Sequence, residues 1–325
     1  MTASRHDHFP VADLPRRQRM RAAATTLAER WKAEDDAPAG VRAAIRAVAD
    51  LPPEQAIAAF APWLGDTRWL EGRLGQALDL LAGDDFARPP LRPVGGGAFG
   101  GLLLAEAGPV RLTLLVRPVE AGGGEEAALA LFAPGRVRLR ILATGGAAVR
   151  FHHVAVTAAE EAGGFTAAAA SPCITGRPRP LVTGETLSLD TAQEAISLTG
   201  GSGDVLMLEM AVQPPSPLPV RAYDVGSGRL VHVSASRRDS SFRGMALALL
   251  GAFGRTDATP LFAAETASED FAARWHAMRE LVALDPAAAH PHLAHMAASD
   301  PHPEVRRAAA ATLAFFTKES APCPA

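Results

Sequence analysis

The sequence predicts an α+β chain: a helical N-terminal segment, a central antiparallel β sandwich or jelly roll, and C-terminal helix pairs. Three observations carry this. Apolar residues recur at helical spacing between about residues 13 and 82. The period changes to two between about 98 and 235. After Ser236 the helical period returns, now with a repeat of 31 to 32 residues. No long helical stretch interrupts the β region, which argues against a parallel doubly wound sheet.

The elements follow in order. Residues 1–12 are polar and aperiodic, as expected of a tail. Pro15 suits a first helical turn, and Met20, Ala24, Leu27 and Trp31 form one apolar stripe. The break at Asp35-Asp36-Ala37-Pro38 leads to Val41, Ile45 and Val48. Pro52 and Pro53 precede Ile57, Phe60 and Leu64. Asp66 is placed to cap a fourth helix carrying Leu70, Leu74, Leu78 and Leu81. The arginines at 16, 17, 19 and 21 read as a solvated helix surface near Glu29 and Glu34. Residues 83–97 are a linker by their Pro and Gly content. Gly95, Gly97 and Gly100 have dinucleotide-loop spacing, but a Pro-rich stretch precedes them and a strand-like run follows. A hinge or a glycine-rich first strand is the expectation there.

In the β region, Val137, Leu139 and Ile141 alternate with Arg136, Arg138 and Arg140, and Val149, Phe151 and His153 alternate with Arg150 and His152. Leu187, Leu189, Ile196 and Leu198 continue the pattern, and Asp204 to Val212 is a nearly continuous apolar run. Asp224-Val225-Gly226-Ser227-Gly228 between two short runs is a hairpin signal. Ten or so short strands of this kind give the sandwich over 98–235.

The last part, about 240–317, is the most informative. Arg243, Ala246 and Leu250 are matched by Arg274, Ala277 and Leu281, and again by Arg306, Ala309 and Leu313. Pro260, Phe262 and Ala263 match Pro291, Leu293 and Ala294. Such a period is a solenoid signature. Asp300-Pro301-His302-Pro303-Glu304-Val305-Arg306 resembles the turn and helix start of a HEAT repeat. The resemblance implies inward-facing arginine, alanine and leucine, so Ala246, Ala277, Leu281, Ala309 and Leu313 are expected to be buried. Pro291 is expected to begin a helix. Residues 318–325 are expected as a tail.

Chemistry-bearing patterns are few. Two cysteines, Cys173 and Cys323, cannot build a disulfide framework or a four-thiolate zinc site. All basic residues but Lys32 and Lys318 are arginine, a compositional bias that does not itself indicate function. His276, His290, His292, His295 and His302 cluster in sequence, but helical phase turns them apart, and they read as exposed. There is no G-x-S-x-G elbow and no P-loop.

The Gly203-Asp204 pair before an apolar run resembles a cupin strand. That resemblance implies, as an alternative, a metal-dependent oxygenase or isomerase with His153, Glu160 and His232 as ligands. His152 and His153 are adjacent on a strand and point to opposite faces, and no histidine follows Asp204 at short spacing. No metal and no other cofactor is therefore expected. The candidate contact residues are instead Arg136, Arg138 and Arg140 on one strand face, with Arg150 and His152 on another. Such a row could grip carboxylates or phosphates through paired hydrogen bonds.

Net charge of −3 offers little phosphate neutralisation, which argues against a nucleic-acid partner. The N-terminal stretch lacks the apolar core of a secretory signal and no run is long enough to span a bilayer, so a cytoplasmic protein without membrane attachment is expected. The functional expectation is a non-enzymatic binding or adaptor protein with a protein or peptide partner. The sequence does not specify its oligomeric state.

Overall fold

The computed structural model describes residues 13–84, 86–96, 99–118 and 129–319. The tail expected at 1–12, Gly97 and Cys323 lie outside these residues. Among the described residues, four helices come first: α1 (Leu14–Asp36), α2 (Val41–Val48), α3 (Pro53–Gly65) and α4 (Arg68–Gly83). Asp13 caps α1, accepting from the Arg16 N–H at 2.9 Å. The expected apolar stripes of α1 to α3 face inward. On α4 the buried positions are Leu70, Arg73 and Ala77, whereas Leu78 is exposed. Arg73 turns inward because Asp35 of α1 receives it at 2.9 Å and the Trp31 ring covers it at 4.9 Å.

Thirteen strands follow among the described residues: β1 (Arg92–Gly96), β2 (Phe99–Ala107), β3 (Val110–Arg117), β4 (Leu129–Phe132), β5 (Arg136–Ala143), β6 (Ala148–His153), β7 (Ile174–Thr175), β8 (Arg179–Pro180), β9 (Thr186–Asp190), β10 (Glu194–Thr199), β11 (Val205–Val212), β12 (Val220–Asp224) and β13 (Leu230–Ser234). They form a six-stranded sheet in the order β1-β2-β3-β11-β5-β9, a sheet of β10, β6, β7 and β8, and a three-stranded sheet β13-β12-β4. All pairings are antiparallel. The linker reading of 83–97 is corrected at its end, because residues 92–96 pair with β2 as the first strand. Gly95 sits at φ +110°, and a Cβ there would fall 2.5 Å from the Phe99 carbonyl oxygen, so the chain needs glycine at this approach.

The six-stranded sheet is covered on both faces. Leu112, Leu114, Leu208, Met210 and Val212 pack against Ile45, Ile57, Phe60 and Leu64 of the helices. The opposite face, with Val137, Leu139, Ile141, Val205 and Met207, packs against Val149 and Leu198 of the second sheet. Burial on both faces explains why β11 reads as a nearly continuous apolar run rather than an alternating one.

Helices return as α5 (Arg238–Ala252), α6 (Thr259–Glu265), α7 (Phe271–Leu284), α8 (Pro286–Ser299) and α9 (Pro303–Glu319), the last reaching two residues into the expected tail. Pro286, not Pro291, begins α8, and Asp285 caps it by accepting from the Ala288 N–H at 3.0 Å. Ala277, Leu281 and Ala309 are buried, as the repeat requires, whereas Leu313, expected buried, is only partly so. Ala246 is exposed, and Leu247 is buried in its place. The reason is the glycine pair on α5. A Cβ on Gly244 would lie 3.4 Å from the His276 ring, and one on Gly251 would lie 3.0 Å from a Glu280 carboxylate oxygen. The glycines let α5 approach α7 closely and rotate the first unit's inward face by one residue.

Candidate functional site

The arginine row lies where strand alternation puts it, but a helix covers that side of the sheet. Arg136, Arg138 and Arg140 pair across to Val212, Met210 and Leu208, on the face that α3 overlies. Arg136 bonds Glu54 of α3 at 3.2 Å and also pairs with Asp190. Arg140 donates to the Gly184 carbonyl. The Arg138 Nε is buried without a hydrogen-bond partner.

Arg150 and His152 belong to a different sheet, opposite Ser197 and Ala195 of β10, so the two groups do not form one row. His152 is buried. Its Nδ1 lies 3.0 Å from the Thr175 hydroxyl and its Nε2 lies 2.9 Å from the Ser197 hydroxyl. Burial, with the Arg150 charge beside it, pushes the ring pKa down, so it is held as a neutral structural imidazole.

His153 and His232 are exposed on separate sheets. Glu160 accepts from the N–H and hydroxyl of Thr157, at 2.7 and 2.9 Å, and so closes its own turn. Among the described residues, no three His, Cys, Asp or Glu side chains are grouped as a metal ion requires.

Glu209 and Arg221 are interior polar groups that strand periodicity does not mark. Glu209 lies on β11 between Met207 and Ala211, on the face that meets the second sheet, opposite Thr113 and Leu139. Burial pushes its carboxyl up to about 7 against the pull of Arg111, while part of the side chain remains accessible. The signal was a lone acid inside the apolar run Val205–Val212. Arg221 of β12 is 1% exposed, lies 5.9 Å from the Phe132 ring and 5.7 Å from the Phe165 ring, and donates to the Ala192 carbonyl.

A cleft of about 610 Å³ opens where the helix pairs meet the sandwich. Phe271 and Pro217 line it with the charged side chains Arg237, Glu269 and Arg274. Its walls are fixed by buried polar bonds. The Arg274 Nε and Nη2 each lie 2.9 Å from an Asp300 carboxylate oxygen, and Nη1 donates to the carbonyls of Ser268 and Glu269. His302, 6% exposed, stacks on Phe271 with ring centroids 3.9 Å apart. Its Nε2 donates to the Phe165 carbonyl at 2.7 Å. His302 thus departs from the exposed histidine set. It ties α9 to the sandwich, and Glu304 adds bonds from the N–H groups of Ala167 and Ala168.

The family described as HEAT repeats matches residues 229–314, so the C-terminal helix pairs are HEAT-like. No curated protein matches the chain. Solved structures similar to part of it include a conserved protein of unknown function from Pseudomonas aeruginosa PAO1. That likeness is 14% identical, covers 38% of this chain and 50% of that chain, and has a TM-score of 0.23. A cupin superfamily protein from Desulfitobacterium hafniense is 18% identical over 37% of this chain and 81% of that chain, with a TM-score of 0.22. A cupin domain from Bordetella pertussis is 12% identical over 38% and 95%, with a TM-score of 0.22. The chain spans half the length of the first of these structures.

Proposed function

We propose that this is a binding or adaptor protein that takes a protein or peptide partner in the cleft between its sandwich and its HEAT-like segment. The observation that carries the reading is the cleft itself, lined by Phe271 and Pro217 and by Arg237 and Glu269, which form an ion pair with each other at 2.7 Å. Helix-pair stacks present ridged surfaces suited to polypeptides. Mixed charge suits a polypeptide better than a phosphate backbone. Arg136, beside Glu54 at the start of β5, offers a second contact surface.

The test is capture of cellular proteins by the immobilised full chain, read by mass spectrometry. Arg237→Glu with Glu269→Arg, both on partly or fully exposed side chains, should remove a partner that the native chain retains. Arg136→Glu tests the second surface. Capture unchanged by all three substitutions would overturn the reading.

A further inference from the structure

Helix α5 packs one face inward and leaves an apolar stripe on the other. Ser240, Gly244, Leu247 and Gly251 turn inward, the glycines against α7 and Phe262. About 180° away, Phe242, Met245, Leu249 and Phe253 recur at i, i+3, i+7 and i+11 and form one stripe. They are 65%, 64%, 57% and 69% exposed. The outward face of a surface helix is ordinarily polar, and here it is apolar. None of the four residues lines the cleft, so the stripe is a separate surface.

We propose that a second copy of this chain covers the stripe, with the two α5 helices packed antiparallel across a two-fold axis. The residue order is self-complementary in the sense such an axis demands. Turned end for end, the stripe places Phe242 against Phe253 of the second copy and Met245 against its Leu249, with the axis passing near residues 247 and 248. Aromatic rings meet at both ends and flexible aliphatic chains meet in the middle. The stripe is about 16 Å long, three turns of helix.

Its area supports the same occupant. At roughly 200 Å² for a whole large side chain, the four expose together about 500 Å² per copy. Two copies therefore remove about 1,000 Å² of mainly apolar surface before flanking residues are counted, which reaches the lower limit for a specific interface. Ala246, exposed beside the stripe, adds no bulk that would hold the helices apart.

Sedimentation equilibrium of the full chain tests the pairing. The native chain is expected to be a dimer that dissociates on dilution. Leu249→Glu should weaken dimerisation on the order of a hundredfold, because it places a charge at the centre of the apolar contact, while the far-UV circular dichroism is unchanged. Met245→Ser serves the same purpose if the Glu variant does not fold.

Cysteine crosslinking fixes the geometry. In a Cys323→Ser background, Phe242→Cys with Phe253→Cys should give a covalent dimer on mild oxidation, and Phe242→Cys alone should not. The two positions lie about 16 Å apart within one chain, too far for an internal disulfide. A native chain that is monomeric at all concentrations would overturn the proposal. So would a dimer that survives both stripe substitutions, or crosslinking by Phe242→Cys alone.

Discussion

Arg274 joins consecutive helix pairs, and truncating it to Ala should unfold the HEAT-like segment far more readily than loss of a surface ion pair. Its guanidinium makes two 2.9 Å bonds to the Asp300 carboxylate and two more to the carbonyls of Ser268 and Glu269. Both partners are buried. In Arg274→Ala the Asp300 carboxylate keeps the His302 N–H, at 2.8 Å, but has lost its countercharge. Breaking one side of a buried pair costs about 3–5 kcal/mol. At about 2 kcal/mol per molar urea, that lowers the unfolding midpoint of the C-terminal helices by about 1.5–2.5 M.

Arg243 is the control. It holds the equivalent position one unit earlier, but it bonds Asp239 and Glu265 from a more exposed site. Arg243→Ala should shift the midpoint by roughly 0.5 M or less. The double substitution Arg274→Met with Asp300→Leu should recover much of the loss, because no lone buried charge remains. Urea titrations followed by far-UV circular dichroism read all three. Equal shifts for Arg274→Ala and Arg243→Ala would refute the reasoning.

Glu209 sets a pH dependence. Folded, its carboxyl titrates at about 7, above its ordinary 4.5. Between these values the folded state holds the extra proton, so stability is lost as pH rises from about 4.5 to about 7. Glu209→Gln should remove that loss, gaining at most about 3 kcal/mol more at pH 8 than at pH 4.5; urea midpoints with an equal difference at both pH values would contradict it. Gly228, at φ +69°, places a would-be Cβ 2.5 Å from the Cys173 carbonyl oxygen, so Gly228→Ala should cost about 1–3 kcal/mol in thermal or urea unfolding. Burial pushes the Cys173 thiol up, so an aromatic disulfide reagent at pH 8 should titrate at most one thiol per native chain and two after denaturation.

Periodicity carried the local elements well. The stripes Val41/Ile45/Val48 and Ile57/Phe60/Leu64 are buried as their spacing required, and Ala277 with Leu281 shows the repeat in its proper phase. What periodicity lacked was tertiary context. The arginines of β5 alternate as read, yet no property of that strand announces that α3 lies over them. Leu78 fits a helical stripe but faces out, because the Asp35–Arg73 ion pair sets the phase of α4. Two glycines rotate α5 by one residue, a close approach that a pattern of leucines and alanines does not reveal. Glu209 was hidden by its neighbours, since an apolar run invites the eye to average over the one residue that breaks it.

The bonds from α9 to the sandwich make the helix stack a lever. Glu304 in the first turn of α9 and His302 just before it hold Ala167, Ala168 and the Phe165 carbonyl. The Phe165 ring, on the same short segment, faces the buried Arg221 guanidinium. A tilt of α9 therefore pulls on the ring that shields an interior cation. The first turn of α9, the segment 165–168 and the Arg221 guanidinium are thus one continuous run of contacts from the helix stack to the interior of the sandwich.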